Sequence, residues 1–190
     1  MARFTIFGAG KMGGAIGSVL TDGGSTVTHI THEQVGTIDG DVVILAVPYH
    51  AVSDIIARYG DQLRGKVVVD ITNPVNFETF DSLVVPLGSS AAAEIAAKLP
   101  DSTVLKAFNT TFAATLASKK IGAQQTTVLI AGDDAAGKQL LGSALEAGGV
   151  ATIDAGSLSR AHELEALGFL QLTLAIGEKI PWTGGFAVVR

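Results

Sequence analysis

The sequence predicts an α/β fold: a doubly wound, mostly parallel sheet with helices on both faces. Three observations predict it. Short apolar runs rich in β-branched residues recur along the chain, segments of helical length separate them, and a glycine-rich turn joins the first run to the first helix.

Taken in order, the expected strands are Phe4–Phe7, Val27–Ile30, Val42–Val47, Val67–Ile71, Val104–Phe108, Thr127–Ala131 and Val150–Ile153, each bounded by Gly, Asp or Pro. The helices between them are expected over Met12–Leu20, Val52–Tyr59, Ala91–Leu99, Ala113–Lys120 and Ala135–Ala147. One connection is abnormal. Only nine residues, His32 to Gly40, separate the second and third strands, where a parallel crossover usually takes a dozen or more. The helix after strand 2 is therefore expected to be shortened or missing. The polar character of Thr26-Val27-Thr28-His29-Ile30-Thr31 fits a strand with one uncovered face. A last helical stretch, Leu158 to about Lys179, is apolar around much of its circumference. It is expected either to lie between the sheet and a second subunit, with Trp182 as the anchoring aromatic, or to be wholly internal.

Composition bounds the rest. At 190 residues and 47% hydrophobic, the chain can close one core. It reads as a single domain over 1–190 with a C-terminal helical extension from about 157 to 190, without repeat or linker. A net charge of −5 disfavours nucleic acid or an anionic membrane as partner. The absence of cysteine excludes disulfides, zinc thiolates and a thiol nucleophile, and fits a reducing cytosol. Met1 runs almost at once into the first apolar strand, leaving no room for a secretory signal. The longest apolar stretches, Val42–Pro48 and Leu164–Ile176, fall short of the roughly 20 residues of a membrane span. A cytoplasmic location is expected.

Chemistry enters at Gly8-Ala9-Gly10-Lys11-Met12-Gly13, which follows the first strand and opens the first helix. In that context Gly8 permits a tight turn, Gly10 lets the backbone approach a pyrophosphate, and Gly13 lets helix and strand pack closely. The helix N-terminus adds free N–H groups and a positive dipole end. Gly14, next in line, would also relieve crowding. This is the dinucleotide signature of a Rossmann-type fold. Which dinucleotide depends on the end of strand 2, where an acidic residue would hold a ribose hydroxyl. Thr31 and His32 stand there instead and favour NADP, while Glu33 would restore NAD if the strand runs longer.

Ligands lie at the carboxyl ends of parallel strands. The nicotinamide pocket is therefore expected in the loops Ala46-Val47-Pro48-Tyr49-His50, Thr72-Asn73-Pro74-Val75-Asn76 and Ala107-Phe108-Asn109-Thr110-Thr111. Gly132-Asp133-Asp134-Ala135-Ala136-Gly137-Lys138-Gln139 nearly matches a nucleotide-triphosphate loop, but Gln139 replaces the magnesium-ligating hydroxyl and two carboxylates would face the phosphates. Those aspartates read better as helix-start residues. No nucleophile elbow, metal-ligand spacing or paired carboxylates emerge, so no catalytic side chain and no metal is assigned. Hydride transfer asks little of side chains, because the cofactor carries the chemistry.

These residues resemble the family of NADP reductases that use a deazaflavin coenzyme, and the related NADPH-oxidising domains of six-transmembrane metalloreductases. The likeness rests on Gly8 to Gly13, Leu45-Ala46-Val47-Pro48, Asp70-Ile71-Thr72-Asn73-Pro74, Lys106-Ala107-Phe108-Asn109-Thr110, Ala131-Gly132-Asp133-Asp134, and Asp154-Ala155-Gly156-Ser157-Leu158 leading to Glu165 and Leu167. The resemblance implies NADPH along Gly10 to Met12, with its 2′-phosphate near Thr31 and His32. It places the nicotinamide against Val47, Pro48, Asn73, Pro74 and Ala107 to Asn109, with a flavin or deazaflavin ring stacked on its exposed face. Relatives tend to carry Arg where His32 stands, a stronger cation at neutral pH. The missing helix and the tail Trp182-Thr183-Gly184-Gly185-Phe186 are departures from the family pattern.

The expected activity is hydride transfer between NADPH and a flavin or deazaflavin. Reductases of hydroxy acids or imines carry a further helical domain, and only 33 residues follow Ser157, so that reading needs a partner subunit. A non-catalytic NADP-binding module is the reading from another class. A homodimer is expected.

Overall fold

The computed structural model describes residues 2–31 and 36–189. In chain order its elements are β1 (Arg3–Phe7), α1 (Lys11–Asp22), β2 (Thr26–Ile30), β3 (Val42–Leu45), α2 (Tyr49–Leu63), β4 (Val67–Asp70), α3 (Ala91–Lys98), β5 (Thr103–Lys106), α4 (Ala113–Ser118), β6 (Lys120–Ile121), β7 (Gln124–Gln125), β8 (Thr127–Gly132), α5 (Ala135–Ala147), β9 (Ala151–Gly156) and α6 (Ala161–Ile176). A single 3-10 turn, Leu158–Arg160, leads into α6.

Seven strands form one sheet in the order β2-β1-β3-β4-β5-β8-β9. All pairings in it are parallel except β5 with β8. β6 and β7 make a separate two-residue hairpin. Because strand side chains alternate faces, each central strand feeds two cores. Phe4, Ile6, Val42, Ile44, Val69 and Leu105 pack with α1, α4 and α5 on one side. Phe7, Val43, Leu45, Val68 and Val104 pack with α2, α3 and the start of α6 on the other.

The strands that carry the site end earlier than expected. β3, β4 and β5 leave the sheet after Leu45, Asp70 and Lys106, so Ala46 to Pro48, Ile71 to Pro74 and Ala107 to Asn109 are loop. Tyr49 and His50, expected in a loop, form the first turn of α2, whose N-cap is Pro48. Proline suits a helix start because it has no amide hydrogen to leave unpaired there. α4 stops at Ser118 on the left-handed Lys119, and α6 stops before Gly177.

The connection from β2 to β3 has no helix among its described residues, Thr31 and Gly36 to Asp41. Ile38 takes a helix's place, buried against Phe7, Ile30 and Tyr59. Its backbone N–H donates to Gln62 Oε1 at 2.9 Å. The chain then passes close over β1 at Gly40, where a Cβ would stand 2.5 Å from the Thr5 nitrogen. On β2, Thr26 and Thr28 stay exposed, as an uncovered face requires. At the start of α5, Asp134 caps the helix by accepting from Gly137 N–H, and Asp133 accepts from Leu158 N–H at 2.9 Å. Asp134 thus caps the helix start as the sequence suggests, while Asp133 instead holds the backbone that leads into α6.

Deep in the sheet lies a charged network. Asp70 and Lys106 are register partners on β4 and β5. The Lys106 ammonium donates to Asp70 Oδ2 at 2.8 Å, Glu165 Oε1 at 2.7 Å and the Thr72 carbonyl at 2.6 Å, which uses all three of its protons. Asp70 Oδ1 accepts from Thr72 N–H, and Glu165 Oε2 accepts from Ala91 N–H at the start of α3. All three charged residues are fully buried.

Lys106→Met leaves two carboxylates buried without their counterion, so unfolding in denaturant should show a loss of about 3–5 kcal/mol. Burial also pushes the Glu165 carboxyl above its ordinary 4.5, against the pull of Lys106. The folded form therefore holds that proton more tightly than the unfolded chain, and stability declines as pH rises from about 4.5 through the raised value. Glu165→Gln removes this part of the pH dependence, at a cost of roughly 1–3 kcal/mol because its amide meets the Ala91 N–H. A pH series of denaturant melts on both proteins checks the pair.

Candidate functional site

β1 and β3 are neighbours whose chains leave in opposite directions, one through α1 to β2 and the other through α2 to β4. In open α/β sheets such a reversal leaves a crevice beyond the carboxyl ends of the strands. The glycine turn occupies it. Gly8 has φ +102°, and a Cβ there would stand 2.3 Å from the Ala46 carbonyl oxygen. A Cβ on Gly13 would stand 2.5 Å from the Gly8 carbonyl oxygen. These two glycines serve the fold: the turn lies against the loop after β3, and α1 against the turn. His29 adds a brace from β2, its Nδ1 3.0 Å from the same Gly8 oxygen.

Gly10 differs from both. Among the described residues no atom stands within 4 Å of the place its Cβ would fill, and it is the N-cap of α1 with no side-chain cap. The first-turn N–H groups of a helix have no acceptor within the helix, so this end presents donors to open space. Gly14 also faces open space, so it relieves no crowding.

Two clefts flank this point. The first, about 500 Å³, is bounded by Phe7, Gly8, Ala9, Ile30, Thr31, Val47 and Pro48, and on the α2 side by Ala51, Asp54, Ile55, Arg58 and Tyr59. Its floor is apolar. Phe7 and Tyr59 rings lie 4.9 Å apart, and the Tyr59 hydroxyl is buried without a partner. Arg58 sits over the Tyr59 ring at 5.5 Å from its centroid. The second cleft, about 510 Å³, lies past Lys11 and Met12. It is bounded by Ile71, Asn73, Phe108, Asn109, Thr111 and Phe112, with Ala113, Ala114, Leu172 and Trp182 beyond.

The expected site residues distribute between these clefts. Gly8, Ala9, Thr31, Val47 and Pro48 line the first, and Lys11, Met12, Asn73, Phe108 and Asn109 the second. Gly10 lies exposed between them, Gly13 and Ala46 shape the turn, and Pro74 and Ala107 are buried behind the walls. His32 and Glu33 lie outside the described residues. Thr111, the last residue of the expected β5 loop, also lines the second cleft; sequence reading missed Arg58 and Asp54, brought in by α2, and Phe112, which follows that loop. Trp182, expected at a subunit contact, packs its ring 4.9 Å from Phe112 and borders the second cleft.

The floor of the second cleft is rigid. Asn73 Nδ2 donates to the Asn109 carbonyl at 2.9 Å, and Asn109 Nδ2 donates to Asn73 Oδ1 at 3.0 Å and to the Leu164 carbonyl at 2.7 Å. Phe108, between them and the sheet, holds φ +64°, a strained conformation for a bulky residue. Among the described residues, Asn109 Oδ1 and Thr111 Oγ1 are buried without a hydrogen-bond partner, on two residues that border this cleft. Tyr49, at the start of α2, is tied across to Glu94 on α3, and burial with that carboxylate raises its hydroxyl well above the ordinary 10.0.

α6 presses on the asparagine pair through Gly168 and presents an unusual polarity. Its buried face includes Glu165 and Gln171, while Leu170 and Ile176 are 49% and 43% exposed, so it is not wholly internal. Among the described residues no helix is long and apolar enough to cross a membrane.

A parallel sheet with a glycine turn at its reversal point and clefts on both sides defines a dinucleotide-binding fold of the Rossmann type. Comparison with known proteins narrows it. The family "NADP oxidoreductase coenzyme F420-dependent" matches over residues 20–74. The F420-dependent NADP reductase of Methanocaldococcus jannaschii is 31% identical over 149 residues, 77% of this chain and 67% of that one. The metalloreductase STEAP3 of Rattus norvegicus is 32% identical over 143 residues, covering 75% of this chain and 28% of the metalloreductase. A structure from Arthrobacter sp. FB24, described as a candidate F420-dependent NADP reductase, overlays with TM-score 0.86 over 100% of both chains at 21% identity, which speaks for the fold. The chain belongs to the family of F420-dependent NADP oxidoreductases, and is thereby an NADP-dependent oxidoreductase.

A Cβ at Gly168 would stand 2.4 Å from Asn73 Oδ1 and 2.8 Å from Asn109 Nδ2. Gly168→Ala should therefore force α6 off the asparagine pair at a cost of about 2 kcal/mol. That corresponds to a fall in melting temperature of roughly 4–8 °C for a chain of this length, read by calorimetry.

Proposed function

We propose that the chain passes hydride between NADPH and a flat flavin or deazaflavin ring, by positioning rather than by acid/base side chains. The observation that carries this reading is the open space over Gly10, with donors on one side and a cleft at either end. The pyrophosphate would lie over Gly8 to Gly13 against the free N–H groups of α1. The adenosine end would occupy the first cleft, with Thr31 and Arg58 toward the 2′-phosphate, the role the sequence also suggests for His32. The nicotinamide end would reach Asn73, Phe108 and Asn109, with Val47, Pro48, Pro74 and Ala107 supporting the loops around it.

Bound NADPH supplies two electrons and a hydrogen nucleus from its nicotinamide, and the acceptor ring takes these together with a proton from water. The chain's own task is geometric. The Asn73–Asn109 pair fixes a floor, the loops exclude water beneath it, and two rings are held in near-attack distance. The relative from Methanocaldococcus jannaschii is named for F420, and this supports a deazaflavin as acceptor. The exposed Leu170 and Ile176 suit contact with a second copy of the chain, so we read it as a homodimer acting in the cytoplasm.

Turnover tests the reading directly. NADPH should be oxidised when FMN, FAD or a deazaflavin is supplied, and binding of NADPH by calorimetry with no oxidation by any of them overturns it. Gly10→Ala should leave stability within about 0.5 kcal/mol, since the new methyl meets no protein atom, yet weaken NADPH by roughly tenfold or more. Arg58→Ala should raise the NADPH dissociation constant by roughly tenfold and that of NADH by less than twofold, on the scale of a charge-assisted hydrogen bond. Equal losses would remove Arg58 from the 2′-phosphate.

A further inference from the structure

The chain's single tryptophan sits where neither the core nor the glycine turn needs it. After α6 the chain reverses, with Lys179 N–H donating to the Leu174 carbonyl at 2.8 Å. It then makes a tight turn at Pro181 to Gly184, closed by Gly184 N–H on the Pro181 carbonyl at 2.8 Å. Trp182 occupies the second position of that turn. The return leg is tied down at once: Phe186 N–H donates to Gln171 Oε1 at 3.1 Å, and Gln171 Nε2 donates to the Thr110 carbonyl at 3.1 Å. Gln171 is 2% exposed, so this link between the tail and the loop after β5 is internal. Gly185, at φ +134°, passes close to it, and a Cβ there would stand 3.0 Å from Gln171 Oε1. The tail is therefore a strap, fastened on both sides of Trp182.

What the strap achieves is placement of an indole at the rim of the second cleft. The Trp182 ring lies 4.9 Å from Phe112, tilted by 54°, and remains 50% exposed. A tryptophan flanked by hydrogen-bonded backbone, with half its surface exposed beside the cleft, holds an aromatic face ready for contact. The opposite wall comes from Lys11 and Met12, where the glycine turn delivers a dinucleotide. Exposed Lys11 and part-exposed Asn73 add polar groups to an otherwise largely apolar lining. Apolar walls with a few polar groups at one edge suit a flat heterocycle with a benzenoid end and a hydrogen-bonding end.

We infer that Trp182, backed by Phe112, is the stacking face for the acceptor ring, and that the C-terminal strap sets acceptor specificity. The inference rests on the function proposed above and adds which residues select the second substrate. A ring entering from the glycine turn lies toward Met12 and the asparagine floor. The acceptor then enters between that ring and the indole, so Trp182 acts on the acceptor and not on NADPH.

The experiment compares wild type with Trp182→Ala, Trp182→Leu and Trp182→Phe, using FMN and a deazaflavin as acceptors. Stacking of one ring on an aromatic residue predicts a rise in acceptor KM on the order of tenfold or more for Trp182→Ala. The NADPH dissociation constant, by calorimetry, should stay within about twofold. Trp182→Leu keeps apolar contact with Phe112 and should be as defective as Trp182→Ala, while Trp182→Phe should recover most of the loss. Circular-dichroism melts identify any variant that fails to fold, and the remaining two still decide the matter. The inference falls if acceptor KM does not move. It falls equally if NADPH binding weakens in step with it, or if light scattering shows the variants losing a subunit with acceptor KM unchanged. Should wild type oxidise NADPH with none of these acceptors, the proposed function fails separately. The stacking face is then judged by calorimetry of lumichrome, the bare tricyclic ring, on NADP-loaded wild type and Trp182→Ala, where equal affinity overturns it.

Discussion

The three protons of Lys106 are the constraint on which the site depends. One amine joins β4, β5, α6 and the loop after β4, through Asp70, Glu165 and the Thr72 carbonyl. Two carboxylates against one ammonium would leave a net negative charge in a dry interior, an expensive arrangement. The start of α3 offsets it, because Glu165 also accepts from Ala91 N–H at the positive end of that helix. With every member hydrogen-bonded, the network has one arrangement. Thr72 is held at both its N–H and its carbonyl, so Asn73 emerges at a fixed angle. Glu165 likewise sets α6, whose Leu164 carbonyl then receives Asn109. The buried charges thus act on function through geometry, one residue removed from the cleft.

A different logic rules the other side of the glycine turn. There the described residues between β2 and β3 form no helix, and Ile38 packs into the core. The first cleft opens onto α2, which brings Arg58 and Tyr59 beside Thr31. His29, on the opposite face of β2 against Gly17 of α1, reaches the Gly8 carbonyl from the covered side.

Much of this was legible in the sequence. Alternating β-branched runs and helical segments dictated the order of elements, and the nine-residue gap showed the missing helix, because crossover length is a hard geometric limit. Gly8 and Gly13 were readable in kind, since close backbone approach is what their spacing is for. The buried network was not, although a signal stood in plain view: Asp70 and Lys106 each end an otherwise apolar strand, and a charge in such a place needs a partner. Glu165 looked like a polar interruption in an apolar helix because the face that turns inward can be found only in three dimensions. Arg58 and Phe112 escaped for the same reason, one reaching the first cleft from within α2 and the other lying one residue past the expected loop. Trp182 was read as a surface anchor, a fair inference from an aromatic beyond an apolar helix. Nothing local announced that Gln171 would pull the tail back over the sheet.

On the function proposed above, the two clefts would divide the labour of recognition. The glycine turn would meet its ligand with backbone, which any dinucleotide fold can offer, and so carry affinity and little choice. The second cleft would meet its ligand largely with side chains, among them those of the β4 loop, the β5 loop and the tail. Each is fastened to the same helix, α6, by Leu164, Glu165, Gly168 and Gln171 on its inward face. That explains the inverted polarity of α6. Its polar residues are turned inside because they are the fasteners of the site, and its leucine and isoleucine are left outside because the inward face has no space for them. A helix built this way can drift in its outer residues without disturbing the hydride path, while a change to any inward residue is felt at Asn73, Asn109 or Trp182.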